Sequence, residues 1–114
     1  AHRVSKLYTG VATEELVQKM TEMMGPFTFD VDGVGRSMVG WPAWTVTTRV
    51  DASAHLEAAR RAVACHKSQL PNGEPWKIDE EQERQFIGLQ TFYRVFSLVN
   101  GGRAVERDLF EGLR

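Results

Sequence analysis

The sequence is poor in the residues that disulfide frameworks and metal clusters require. It contains one cysteine, Cys65, and three histidines, His2, His55 and His66, among 114 residues. One cysteine cannot form an internal disulfide, so the chain fits a reducing compartment and we expect a cytoplasmic location. On one helix His55 and His66 would stand about 16 Å apart along the axis, which is too far to share a metal ion. The sequence also lacks the common zinc-protease, nucleophile-elbow and phosphate-loop motifs.

Charge of one sign and long apolar runs are also missing. Fourteen Lys and Arg residues stand against 15 Asp and Glu, for a net charge of −1. Nucleic acids and anionic membranes need a basic face, and a membrane helix needs a run of roughly 18 apolar residues. We therefore expect neither nucleic-acid nor membrane binding. The remaining composition, 42% hydrophobic and 25% charged, is typical of a globular domain.

The clearest positive pattern is a helical stripe over residues 54–69. Its members recur at steps of three and four residues: Leu56, Ala59, Val63, His66 and Leu70. Arg60 and Arg61 fall on the other, solvent-facing side of this predicted helix. Pro71 ends it, because proline cannot continue a helix.

Two further helices are predicted. The first is capped by Thr13 and stopped by Gly25. The second begins at Asp79, which forms a capping box with Gln82. Its apolar stripe is Phe86, Leu89, Tyr93 and Phe96.

Three short strands and one long connection complete the prediction. The strands, rich in β-branched and aromatic residues, are Val4–Thr9, Thr45–Val50 and Ser97–Asn100. Residues 25–44 are rich in glycine and predict a loop. Within it, Trp41 and Trp44 flank Pro42 and either line a pocket or fix the loop to the core.

Two segments carry a resemblance to a known family. The helix end Ala64–Gln69 resembles the A-x-H-x-S-Q segment of the PIG-L (LmbE-like) deacetylases, and the tail Phe96–Arg114 resembles their C-terminus. The stretch His2–Tyr8 also resembles the strand that leads out of their catalytic half. The A-H-P-D-D-E and H-x-D-H segments, which supply the family's zinc ligands and base, do not occur in this chain. Ala59 stands where members often have lysine.

The resemblance implies an α/β chain that forms the C-terminal part of a Rossmann-like three-layer α/β/α fold. Residues 1–114 would be a single domain or the C-terminal half of a larger deacetylase domain. The family's enzymes are zinc hydrolases that remove N-acetyl groups from N-acetylglucosamine-type sugar conjugates. With no metal ligand or catalytic residue carried over, we expect this chain to be inactive without its N-terminal half.

What the chain would contribute is part of the pocket wall. The side chains expected to bind substrate or to support the ligand-bearing loops are His66, Ser68, Gln69 and Trp44. From the residues alone, His66 fits a hydrogen-bonded structural histidine better than a catalytic one. The partners expected for the chain are an N-acetyl sugar conjugate and either its own N-terminal half or further copies of itself in a homo-oligomer.

The alternative is a non-enzymatic function. In that hypothesis the chain is a small α/β module that binds a partner through the loop around Trp41 and Trp44. A catalytic segment encoded upstream would favour the deacetylase hypothesis.

Overall fold

The computed structural model describes residues 2–75 and 77–114, and its mixed α/β class agrees with the sequence prediction. The chain divides into two compact units, residues 1–49 with 91–114 and residues 50–90, and each is described by itself. Among the described residues, no helix is long and apolar enough to cross a membrane. The helices are α1 Glu14–Met24, α2 Leu56–Ala64 and α3 Glu80–Glu83, and the strands are β1 Lys6–Gly10, β2 Thr28–Val31, β3 Val34–Ser37, β4 Thr48–Asp51 and β5 Leu89–Ser97.

Helix α1 begins and ends as predicted. The Leu16 N–H donates to the Thr13 hydroxyl at 3.2 Å, and Glu14 and Glu15 occupy the first turn, where the helix dipole favours negative charge. Gly25, with φ of 81°, ends the helix in a conformation that suits glycine.

A three-stranded sheet in the order β1-β5-β4 organises the first unit. Strands β1 and β5 are antiparallel, from Lys6 opposite Ser97 to Gly10 opposite Phe92, with a bulge between Leu7 and Tyr8. Among the described residues, the buried hydrophobic side chains are those of Val11 and Val46, so this core is small.

Strand β5 replaces part of a predicted helix. The helix that starts at Asp79 does have the predicted capping box with Gln82, but it ends at Glu83 and passes through a π-helical turn, Arg84–Gly88. The residues that follow are then extended, which breaks the expected stripe. Their sequence, LQTFYRVFS, is aromatic and β-branched, and pairing with β1 supplies backbone hydrogen bonds that an isolated periodicity cannot anticipate.

The predicted loop over residues 25–44 contains a β-hairpin formed by β2 and β3. The connecting pair, Asp32-Gly33, has φ values of 55° and 77°, as a two-residue hairpin turn requires. The Gly33 N–H donates to the Asp30 carboxylate at 3.0 Å, which fixes the turn. The prediction of an irregular connection was wrong for this segment because the Asp-Gly signal outweighs its glycine content.

The other two predicted strand boundaries also change. Residues 43–45 form a 3₁₀ turn, and the strand starts at Thr48. The predicted strand Ser97–Asn100 is instead a bend at the end of β5. Its cause is local, since the Ser97 hydroxyl accepts the backbone N–H groups of Val99 and Asn100 at 3.2 and 3.1 Å.

In the second unit, the central helix is shorter than the predicted 54–69. Helix α2 ends at Ala64, and Lys67–Gln69 form a separate 3₁₀ turn. The hydrogen bonds tighten there, with the His66 N–H bonded to the Val63 carbonyl at 3.0 Å. His66 is exposed and therefore does not belong to the half-buried stripe of Leu56, Ala59 and Val63.

Arg60 does not simply face solvent, as the sequence suggested. Its guanidinium forms a two-pronged ion pair with Glu83 of α3, at 2.7 and 2.5 Å, and also contacts Glu57 at 2.8 Å. Hydrogen bonding to Arg60 lowers the pKa of the buried Glu83 carboxyl. The pair therefore joins α2 to α3 within this unit.

Gly40 is required where the chain returns to the start of α1. A β-carbon at this position would lie 2.4 Å from the Glu14 Cα atom, which is backbone and cannot move aside. We expect Gly40→Ala to lower the free energy of unfolding by roughly 1–3 kcal/mol, as overpacking does. Gly35→Ala is the matched control because that β-carbon would meet open space. Equal urea-denaturation midpoints for both variants would contradict the expectation.

The ion pair of α2 and α3 gives a second prediction. Arg60→Ala leaves the Glu83 carboxylate buried without its main cation, so it should lower the melting temperature more than Arg61→Ala, which removes an exposed arginine on the same helix. Glu83→Gln should also lower the melting temperature. Calorimetry on the three variants measures their melting temperatures and so ranks the three effects. If Arg60→Ala and Arg61→Ala melted together, the pair would contribute nothing to stability.

Candidate functional site

The most highly connected polar group in the structure is the carboxylate of Glu106, which is 2% exposed. Its Oε1 atom lies 2.6 Å from the Lys6 ammonium and 3.1 Å from the Arg94 guanidinium. Three neutral groups complete its surroundings: the Asn100 amide, which donates to Oε1 at 2.5 Å, and the Tyr8 and Thr48 hydroxyls, which donate to Oε2 at 2.8 and 2.7 Å. We call these six residues the Glu106 cluster.

Backbone geometry places Glu106 on this sheet. Its N–H donates to the Thr47 carbonyl at 2.9 Å, and its carbonyl accepts the Arg49 N–H at 2.8 Å, so the tail runs parallel to the chain at Thr48 for one residue. Lys6 and Tyr8 are two residues apart on β1, as alternation along a strand requires for side chains that share a face. Sheet pairing sets Arg94 opposite Tyr8.

The electrostatics of the cluster are those of a satisfied ion pair. Burial by itself would raise the pKa of Glu106, but hydrogen bonds from Lys6, Asn100, Thr48 and Tyr8 outweigh it and hold that pKa well below its usual range. Burial would lower the pKa of Lys6, and the contacts with Glu106 and Tyr8 instead raise it. Glu106 is therefore a carboxylate and Lys6 an ammonium at neutral pH.

The cluster's chemistry is structural. A carboxylate has about four lone-pair positions, and four hydrogen bonds already occupy those of Glu106, with Arg94 as an additional ion-pair partner. Neither oxygen is available to accept a proton from a substrate or to bind a cation. Sequence reasoning missed this group, although the charged Lys6 within an apolar strand signals a buried partner.

The residues predicted to bind substrate lie in two places. Within the second unit, His66, Ser68 and Gln69 share one exposed turn, where the Gln69 N–H donates to the His66 carbonyl at 2.8 Å and the Gln69 amide reaches the Ser68 hydroxyl at 3.4 Å. His66 is exposed, and the expectation that it is a hydrogen-bonded structural histidine stays a prediction.

Trp44 lies in the first unit, on the 3₁₀ turn Ala43–Thr45, with 85% of its surface exposed. Trp41 differs from it. Its ring packs against Tyr93 with centroids 5.8 Å apart, and its backbone N–H donates to the Ala12 carbonyl at 2.8 Å. Trp41 therefore fixes the segment to the sheet, whereas Trp44 leaves its indole ring free for contact with another molecule.

A comparison with characterised proteins gives one informative match. The chain is 29% identical over 130 aligned residues to 1D-myo-inositol 2-acetamido-2-deoxy-alpha-D-glucopyranoside deacetylase from Thermobispora bispora. The resemblance to the PIG-L (LmbE-like) deacetylase family is confirmed. The alignment covers 97% of this chain but 43% of that relative, so the chain spans less than half the length of the curated protein it matches.

Two other comparisons found nothing. No protein-family model matches the chain, and no solved structure matches it.

Zinc, which the resemblance implies for a whole deacetylase, needs three or four ligand side chains that converge on one point. Across residues 2–75 and 77–114, no three His, Cys, Asp or Glu side chains converge as metal ligands would. The Glu106 carboxylate is already saturated by its donors, and the Glu83 carboxylate is paired with Arg60. The described residues therefore do not fit a zinc site.

The Glu106 cluster predicts a specific pH dependence of stability. Because the folded-state pKa of Glu106 is lowered, its stabilisation is complete above the unfolded value of about 4.3 and is lost as the pH falls below it. Glu106→Gln leaves two buried cations unpaired, so it should cost roughly 3–5 kcal/mol at pH 7. The difference in free energy of unfolding between wild type and Glu106→Gln should become smaller below about pH 4, because the wild-type carboxylate then loses its own contribution to stability.

Denaturant unfolding from pH 7 to pH 3 measures this difference. The control is Glu74→Gln, which changes an exposed glutamate and should shift stability little at any pH. A difference between wild type and Glu106→Gln that stayed constant across this range would show that the carboxylate is not the stabilising group.

Proposed function

We propose that this chain is the C-terminal part of a hydrolase that removes N-acetyl groups from N-acetylglucosamine-type sugar conjugates. The observation that carries the proposal is the alignment along 97% of the chain to a deacetylase whose name specifies a 2-acetamido-2-deoxy-glucopyranoside substrate. That match favours a hydrolase over the small partner-binding module considered from the sequence. In this proposal, residues 1–114 complete a Rossmann-like α/β/α domain in the cytoplasm.

The side chains present in this chain suit substrate binding, and the catalytic chemistry would come from the rest of the proposed hydrolase. Zinc, where bound, would polarise the amide carbonyl and activate water, and its ligands would lie outside these 114 residues. This chain would bind and orient the sugar. The exposed turn of His66, Ser68 and Gln69 offers an imidazole, a hydroxyl and an amide, all able to hydrogen-bond to sugar hydroxyls.

Trp44, in the first unit, would make a separate apolar contact. A pyranose ring presents C–H groups on its faces, and an exposed indole ring provides a flat apolar surface with a polar N–H at its edge. Trp44 is therefore proposed as a substrate contact, with Trp41 supporting its segment through Tyr93.

Release of primary amine from N-acetylglucosaminyl conjugates tests the proposal. The longer polypeptide, containing an A-H-P-D-D-E-type segment upstream, should release amine, and the isolated 114 residues should not. His66→Ala, Gln69→Ala and Trp44→Ala should raise KM roughly tenfold or more if these side chains bind substrate. Lys67→Ala, from the same exposed turn, is the control.

Two results would contradict the proposal, the first in whole and the second in its assignment of residues. An upstream coding sequence without the catalytic segment would remove the basis for deacetylation. Unchanged KM in all three variants of an active enzyme would leave the deacetylase function standing but exclude these residues from the sugar site.

A further inference from the structure

The β2–β3 hairpin exposes apolar side chains that nothing in its own unit covers. All eight residues of its two strands are exposed, including Phe29 at 53%, Val31 at 45% and Val34 at 52%. The hydrogen bond from the Met38 N–H to the Phe27 carbonyl, 3.2 Å, continues the pairing one step beyond the strands. Two-stranded ribbons are marginally stable in water unless one face packs against something.

The register gathers these apolar side chains on one face. Phe29 lies opposite Arg36 and Val31 opposite Val34, and paired residues of an antiparallel ribbon share a face. The other face carries Thr28, Asp30, Gly35 and Ser37, which are polar or small. This is the alternation of a half-buried sheet, and the Asp32-Gly33 turn fixes it because a slip of one residue would reverse the faces.

We propose that this face binds the same face of a second copy of the chain. The charges of the hairpin are complementary to themselves: Arg36 stands near its base and Asp32 at its turn. In a two-fold symmetric contact with hairpins pointing in opposite directions, the base of each meets the turn of the other. Arg36 of each copy then lies against Asp32 of the other, around a centre formed by Phe29, Val31 and Val34.

The size of the face sets the strength of the contact. A standard stable interface buries roughly 800 Å² on each partner, more than the apolar side chains of one short hairpin provide. The dimer should therefore depend on concentration, forming in the micromolar range and dissociating on dilution. A permanent dimer would need further surface.

Sedimentation of the full chain from about 1 to about 200 µM tests the proposal, with circular dichroism to confirm folding. Val31→Lys should raise the dimer dissociation constant roughly tenfold or more, since it places a charge at the centre of the contact. Thr28→Lys is the matched control, because it adds the same charge to the opposite face of the same hairpin. The wild type and this control should dimerise alike.

The charge pair supplies a second, independent measurement. Arg36→Asp and Asp32→Lys should each weaken the dimer through like-charge contacts, and the double variant should restore it. Rescue would also show that the single variants had not simply unfolded. A chain that is monomeric at every concentration, equal loss in Val31→Lys and Thr28→Lys, or no rescue would each overturn the proposal.

Discussion

The first unit depends on one buried carboxylate. Glu106 lies near the end of the sequence, and its partners Lys6 and Thr48 lie 100 and 58 residues away. Buried hydrophobic side chains in the described residues are few. Hydrogen bonds and ion pairs with Glu106 therefore hold together segments that a larger hydrophobic core would otherwise hold. A buried charge is tolerated only when its hydrogen-bonding positions are filled. The sheet and the segment that carries Glu106 must therefore assemble together, because the donors that satisfy the carboxylate come from both.

The same scarcity of core explains why so much apolar surface remains exposed in this unit. Large apolar patches on a protein surface usually mark contacts with other chains or segments. Phe29, Val31 and Val34 belong to the proposed hairpin contact, which would be reversible between copies. Leu7 and Phe96, which lie opposite each other on the sheet, are exposed as well.

Local signals in the sequence were reliable and long-range ones were not. The Thr13 cap and the Asp79–Gln82 capping box are formed by neighbouring residues, and both are present. The helical period of Leu89, Tyr93 and Phe96 was misleading because pairing with β1, more than 80 residues away, decides the conformation there. The Glu106 cluster was missed for the same reason. The family resemblance succeeded because it compares whole segments and needs no knowledge of which residues meet.

Perturbed pKa values often mark active sites, and this chain illustrates when that inference fails. Glu106 has the pKa pattern of a functional residue, but all of its oxygen positions are used by protein donors. A general base needs a free lone pair within reach of substrate, so saturation excludes that role regardless of the pKa. The turn of His66, Ser68 and Gln69 is exposed instead, so its polar atoms are accessible to another molecule. In the proposed function, accessibility and not electrostatic perturbation is therefore the criterion for choosing the side chains that would contact the sugar.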